Sequence, residues 1–333
     1  MTADKLLKQI LDKSGLLPRS FSRWVNSSDQ FREFAKKHKD KICPKFAEAK
    51  TNSEPDEKLK DVLFELEIAY LALRTSRFSV EYELYGGGPD FTLTDESGVV
   101  FNVEVKRIRK TSEEKRLEAW RAQVKREVCA VPSTLAVAVD IGLYVDELNA
   151  LLDLLDRLER KRADVIGCLV KTIRAEERNI PIDGIKRYPI PSFEDEVQLT
   201  LSKPSRKPTS DHTTFNGGIF PPFITQKEWE KFKDLIFTKK KQRIPNMINI
   251  LVISTDSATH DIYAFMKEIE EDFKERVARG NVTEQMKKLS GVLFRGAWEN
   301  RLWLNNRTAY CPIPKNIAET LEAIYCGRGR PNS

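Results

Sequence analysis

The stretch from Phe64 to Lys110 constrains this chain most, because helix, strand and turn signals follow one another there in a fixed order. Leu59, Val62, Leu63, Leu66, Tyr70 and Leu73 recur at helical spacing and predict a helix. Phe78 to Tyr85 then alternates Phe, Val, Tyr and Leu with Ser and Glu, the period of a half-buried strand. Gly86, Gly87 and Gly88 break it. Asp90 to Thr94 and Val99 to Ile108 read as two further strands, joined by the turn Asp95-Glu96-Ser97-Gly98. The predicted order is a helix followed by a three-strand meander.

The rest of the chain extends this into an α/β fold. Thr111 to Cys129 reads as a charged helix with Leu117, Trp120, Val124 and Val128 on one side. Leu135 to Ile141 is continuously apolar, as in a strand covered on both faces. A leucine-rich helix over 144–160 and a strand from Val165 to Val170 follow. Regularity fades from Ile180 to Pro245, where prolines recur and basic clusters stand at 203–207 and 239–243. Order returns with a buried-type strand from Ile248 to Ser254, a helix over 259–278, a hairpin of Val292–Arg295 with Arg301–Asn305, and a helix holding Ile317 to Ile324. The expected architecture is a mixed β-sheet flanked by helices. Its expected segments are an N-terminal helical part (1–55) anchored by Trp24, Phe31 and Phe34, a core (56–175), a loop-rich basic insertion (176–245), an α/β segment that extends the same sheet (246–326) and a frayed tail (327–333).

Composition excludes several classes. The chain has 333 residues, 40% of them hydrophobic and 32% charged, enough for a core under a well-solvated surface. No run approaches about 18 apolar residues, so no membrane span is expected, and the first residues lack the apolar region of a signal peptide. The cysteines form no C-x-x-C pair, which argues against a zinc knuckle or a disulfide framework and for a reducing, cytoplasmic setting. Cys129 and Cys168 read as buried thiols. The net charge of +6 is a mild bias towards polyanionic partners. His38, His212 and His260 stand at no ligand spacing.

Alternate side chains of a strand share a face, so Asn102, Glu104 and Lys106 point one way and Phe101, Val103 and Val105 the other. Counted back across the turn, Asp90 falls opposite the 104–106 region. Two carboxylates and a lysine at one end of a sheet suit Mg²⁺ or Mn²⁺, which take oxygen ligands and keep waters and substrate phosphate. Such an ion polarises a phosphate and acidifies a bound water, while Lys106 positions that water or faces the charge of the transition state. On the preceding helix Glu67, between Leu63 and Leu71, is the expected third acid, and Glu65 lies on the other shoulder. The competing account of Asp90, Glu104 and Lys106 is a solvated strand face with a surface ion pair.

Pro89-Asp90, Glu104-Val105-Lys106 and a helix acid in this element order resemble the PD-(D/E)xK nuclease superfamily over residues 56–141. The resemblance implies a restriction-endonuclease-like core with helical and loop-rich additions, and a Mg²⁺-dependent hydrolase of phosphodiester bonds. It implies Asp90, Glu104, Lys106 and Glu67 as catalytic groups, and Asp90, Glu104 and the Val105 carbonyl as metal ligands. Nucleic acid, DNA before RNA, is the implied substrate. Arg107, Arg109 and Lys110 are the expected phosphate contacts, with Gln123 reaching in from the following helix. Trp303 is conceivable as a stacking platform, against a plain covered tryptophan. The alternative function is a catalytically silent protein of the same fold that binds nucleic acid or a protein partner. A homo-oligomer or a larger defence or repair assembly is compatible with either.

Overall fold

Val100–Ile108 (β3) is the strand on which the architecture turns. A computed structural model of the protein describes residues 1–86, 88–110, 112–141, 148–205, 213–214, 233–234, 236–237, 243–255, 262–295 and 301–326. The chain divides into two compact units, Met1–Arg109 with Thr225–Ser333, and Lys110–Ile224. The boundaries between these units fall just after β3 and near 225.

The first unit is built on a six-stranded mixed sheet. Phe78–Tyr82 (β1), Phe91–Asp95 (β2) and β3 form the expected antiparallel meander. The next strand in space is not 136–141 but Ile248–Thr255 (β8), which runs parallel to β3. Gly291–Arg295 (β9) follows in parallel and Arg301–Asn305 (β10) closes the sheet antiparallel to it. One face carries Phe91, Leu93, Phe101, Val103, Val105, Ile250, Val252 and Leu293 in a single core with the helices below. The opposite face, including Leu251, Ile253, Val292 and Phe294, is buried too. A strand covered on both faces reads as a continuous apolar run, as β8 does.

The helices of the first face are Ala3–Ser14 (α1), Arg19–Ser27 (α2), Asp29–Lys37 (α3), Lys39–Thr51 (α4), Pro55–Leu73 (α5) and Lys315–Cys326 (α11). Helix α5 starts as its sequence dictates, with Pro55 in the first turn beside Asp56 and Glu57. It is not a one-stripe helix. Phe64, Leu66, Ile68, Ala69 and Ala72 are buried around much of its circumference, since it meets both the sheet and the N-terminal helices. Trp24, Phe31 and Phe34 are buried among Phe21, Tyr70 and Tyr82, as expected of anchors. Ile262–Ala278 (α9) and the short Glu284–Lys288 (α10) link β8 to β9.

The second unit has its own core. Ala136–Ile141 (β4), Ile185–Pro189 (β5), Val197–Ser202 (β6) and Thr213–Thr214 (β7) form a sheet in the order β5-β6-β4-β7. Ser112–Cys129 (α6), Leu148–Arg160 (α7) and Arg162–Glu176 (α8) contribute Trp120, Val124, Leu154, Leu158, Val165, Leu169 and Ile173 to that core. Four expectations are corrected here. The run at 165–170 is helical, and its buried residues Val165, Leu169 and Ile173 step by four. A short apolar run cannot by itself be told from a strand. Strand β4 belongs to this second sheet, and strands β5 and β6 occupy a region expected to be loop. Cys129 is exposed and Cys168 only partly covered, not buried. Among the described residues no helix is long and apolar enough to cross a membrane.

Candidate metal-dependent active site

At its centre β3 is buried on both faces, so the polar residues Asn102 and Glu104 lie inside the protein, at 1% and 6% exposure. Buried polar groups must be paired. Thr92 Oγ1 donates to Asn102 Oδ1 at 3.0 Å, and Asn102 Nδ2 to Asn249 Oδ1 at 3.4 Å. Asn249 Nδ2 in turn donates to the carbonyls of Ile244, Met247 and Lys288, each at 2.9 Å. This amide network stiffens the middle of the sheet beside Glu104.

Asp90 is brought in by the chain reversal after β1. Glu83 and Gly86 both take left-handed backbone, with φ of +48° each, and so end the strand in a bend. Glu83 N–H donates to the Asp90 carbonyl at 2.9 Å. The register of β2 on β3, Phe91 with Val103 and Thr92 with Asn102, puts Asp90 opposite Glu104. Its carboxylate turns into the end of the ladder, where Val105 N–H donates to Asp90 Oδ2 at 2.7 Å. A strand residue's N–H and C=O leave on the same side, so the Val105 carbonyl points towards Asp90 as well. Lys106 Nζ lies 3.4 Å from Glu104 Oε1. Asp90, Glu104, Val105 and Lys106 therefore meet at one end of the β2–β3 pair.

The electrostatics of this corner are unusual. Burial first, and then the negative charge of Glu65, push the Asp90 carboxyl up to about 7, against the pull of Lys106, the Val105 N–H and Lys45. Arg243, buried beyond Glu104, is lowered to about 10 by burial, and the charge of Glu104 opposes that shift. It donates to the carbonyls of Ile236 and Gln285 at 2.8 Å each.

The two acids of helix α5 have different partners. Glu67 is committed to Arg295 of β9, whose two nitrogens meet its two oxygens at 2.6 and 2.9 Å. The acid whose charge reaches Asp90 is Glu65. Its Oε2 accepts from Tyr82 Oη at 2.9 Å and from Lys45 Nζ at 2.6 Å. Lys45 also meets Glu83 at 2.8 Å. Burial pulls the Lys45 ammonium down, but Glu65 and Glu83 outweigh it and leave it raised. Two residues along a helix are about 200° apart, so the choice of face is all-or-none. Because α5 is buried on several sides, its apolar stripe does not reveal which shoulder faces the sheet end. Nothing in the sequence points to Lys45 or Arg243 as neighbours of this site; Tyr82 was legible only as a strand residue.

Three of the expected phosphate contacts are paired with carboxylates. The Arg107 side chain is 5% exposed and bonds Asp61 at 2.7 Å and Glu57 at 2.6 Å, fastening β3 to α5. Arg109 pairs with Asp61 at 2.8 Å and Glu54 at 2.7 Å. Lys110, at the start of the second unit, pairs with Glu118 at 2.5 Å. Gln123 lies on α6, also within the second unit. The sequence shows these cations but not their partners, which stand some 50 positions away for Arg107 and Arg109. Gly87, the side chain of Trp303, the tail from 327 and most of the basic clusters near 205 and 240 lie outside the described residues.

The donors at the sheet end fit a small hard cation. Two carboxylates and a backbone carbonyl are oxygen ligands, and Mg²⁺ typically takes one or two carboxylates and keeps several waters. A carboxyl raised to about 7 by burial is one that a cation would return to its charged form. Among the described residues no group of three or more His, Cys, Asp or Glu side chains is placed to hold a metal, so the fit rests on the pair and the carbonyl. Comparison with protein-family models, curated proteins and solved structures found no match to this chain.

Proposed function

We propose that this protein is a metal-dependent nuclease that hydrolyses phosphodiester bonds of nucleic acid, DNA before RNA, on a restriction-endonuclease-like core. The observation that carries this reading is Asp90, buried and opposite Glu104, accepting the Val105 N–H with Lys106 at the same strand end. The order of helix α5, meander β1–β3 and a further strand beside β3 supports it, with β8 as that strand.

Asp90, Glu104 and the Val105 carbonyl would hold Mg²⁺ or Mn²⁺, which when bound polarises the phosphate and lowers the pKa of a coordinated water. Lys106 carries three donors on a flexible stem. It orients the attacking water and neutralises charge developing on the phosphate oxygens, while Glu104 keeps its ammonium in place. Glu65 adds negative charge beside Asp90 and is itself held by Lys45 and Tyr82. Glu67 has no part in this arrangement.

The silent-binder reading has one observation in its favour. Glu104 is already balanced by Lys106 at 3.4 Å and by the buried charge of Arg243. Cleavage of labelled single- and double-stranded DNA and RNA in Mg²⁺ or Mn²⁺ separates the two. The expected result is cleavage by the intact protein and its loss, by at least about a hundredfold, in Asp90→Asn and Lys106→Ala. Binding without cleavage by the intact protein would leave the silent reading. Unchanged cleavage in both variants would place the chemistry elsewhere.

A further inference from the structure

The first 51 residues hold twelve basic and six acidic side chains, so the N-terminal helices account for the chain's entire net charge of +6. The remainder is neutral in sum. Part of this excess forms one continuous ridge. Lys5, Gln9 and Lys13 lie at i, i+4 and i+8 on α1 and share a face. Gln9 accepts from Lys39 at 3.4 Å, and Lys13 meets Asp40 at 2.9 Å, which joins that face to the start of α4. Lys37 reaches Glu81 on β1. Lys41 donates to the carbonyls of Tyr82 at 2.5 Å and Glu83 at 2.9 Å. The N–H of that same Glu83 holds the Asp90 carbonyl. The ridge therefore runs from α1 across the α3–α4 junction to the bend that presents Asp90.

We propose that this ridge is the surface on which a nucleic-acid backbone lies as it approaches Asp90. The proposal rests on the nuclease reading for what lies at its end, not for the ridge itself. Five lysines face two carboxylates, Asp40 and Glu81, so the surface keeps a positive excess. The Lys13 and Lys37 side chains are 53% and 60% exposed, and exposed ion pairs are worth little, so phosphates can displace the carboxylates. Counterion release then supplies the affinity. Arg107 is not available for this role, being enclosed between Glu57 and Asp61 of α5. An anionic membrane is the poorer partner, because Leu6, Leu7 and Ile10, the apolar face of α1, are buried within the helical bundle.

The test compares two triple variants of equal charge. One is Lys5→Gln, Lys13→Gln, Lys37→Gln on the ridge. The other is Lys267→Gln, Lys274→Gln, Lys315→Gln at exposed positions of α9 and α11. All three ridge lysines are outside the proposed catalytic groups, and thermal melts check that both variants fold. Binding of labelled single- and double-stranded DNA and RNA is measured by anisotropy in EDTA across a salt series. The ridge variant is expected to bind about tenfold or more weakly, with the slope of log affinity on log salt shallower by about 2, and the control to keep both. An equal loss in the two variants, no loss in either, or no binding by the intact protein overturns the proposal. So does binding to phosphatidylserine vesicles in place of nucleic acid. Since EDTA removes the need for cleavage, a ridge effect in a protein that never cleaves would sink the nuclease reading alone.

Discussion

Asp90 shows how one side chain can oppose the fold that holds it. Its carboxyl stays protonated up to about 7, whereas in the unfolded chain it ionises near about 3.9. The folded state therefore binds the proton more tightly. Stability contributed by this group is present at low pH and falls as pH rises from about 4 to about 7. Asp90→Asn keeps an acceptor for the Val105 N–H and removes the titration. In EDTA it is expected to be more stable than the unsubstituted protein at pH 8, by on the order of 2 kcal/mol, and about equal at pH 4. Urea denaturation at the two pH values reads this directly, and a gap that does not change with pH would contradict the burial argument. At the same scale, Glu65→Gln is expected to lower Mn²⁺-supported cleavage about tenfold or more, and Glu67→Gln to leave it within about twofold, because Glu67 is held by Arg295. The opposite ranking would restore Glu67 as the helix acid.

Between elements, the main fastening near the site is the ion-pair set joining β3 to α5. Arg107 is nearly enclosed between Glu57 and Asp61. Burial would raise the Glu57 carboxyl, but the bonds from Arg107 and Lys60 outweigh it and hold it at about 2. Removing one member of a buried pair leaves the other charge unpaired, at a cost of about 3–5 kcal/mol. Arg107→Ala is expected to lose stability on that scale in urea denaturation while leaving the salt slope of nucleic-acid binding unchanged. A shallower slope with full stability would mark Arg107 as a phosphate contact after all. The helix at 162–176 carries the other lesson at this scale. Its apolar run satisfies a strand pattern, and only the packing of Val165, Leu169 and Ile173 on one face decides for the helix.

For the whole molecule, the informative fact is where the chain leaves its first sheet. Strand β3 and its parallel neighbour β8 are separated in sequence by the entire second unit. Parallel strands need a crossover of a dozen residues or more, and nothing limits its upper length. The second unit's separate core implies separable stability. Leu199→Ala removes a fully buried side chain there and is expected to cost that unit about 2–5 kcal/mol. Hydrogen exchange should then rise in β4, β6 and α8 while β3 and β8 keep their protection. Loss of protection in all of them together would show one cooperative unit. The charge distribution belongs to this scale as well, since the first 51 residues carry a net +6 and the remainder of the chain sums to zero.

The sequence by itself determined the local frame: helix α5, the meander β1–β3, the turn at 95–98, and the placing of Asp90 opposite Glu104 with Lys106 on the same face. Strand parity and a short turn allow few arrangements, so these relations follow from spacing alone. Tertiary structure decided which shoulder of α5 meets Asp90, which strand lies beside β3, and which cations are free of carboxylate partners. Each of those depends on residues far apart in the chain: Lys45 on Glu65, Arg295 on Glu67, Glu57 and Asp61 on Arg107, β8 on β3. A periodic pattern states which side of an element is buried, and it carries no record of what buries it.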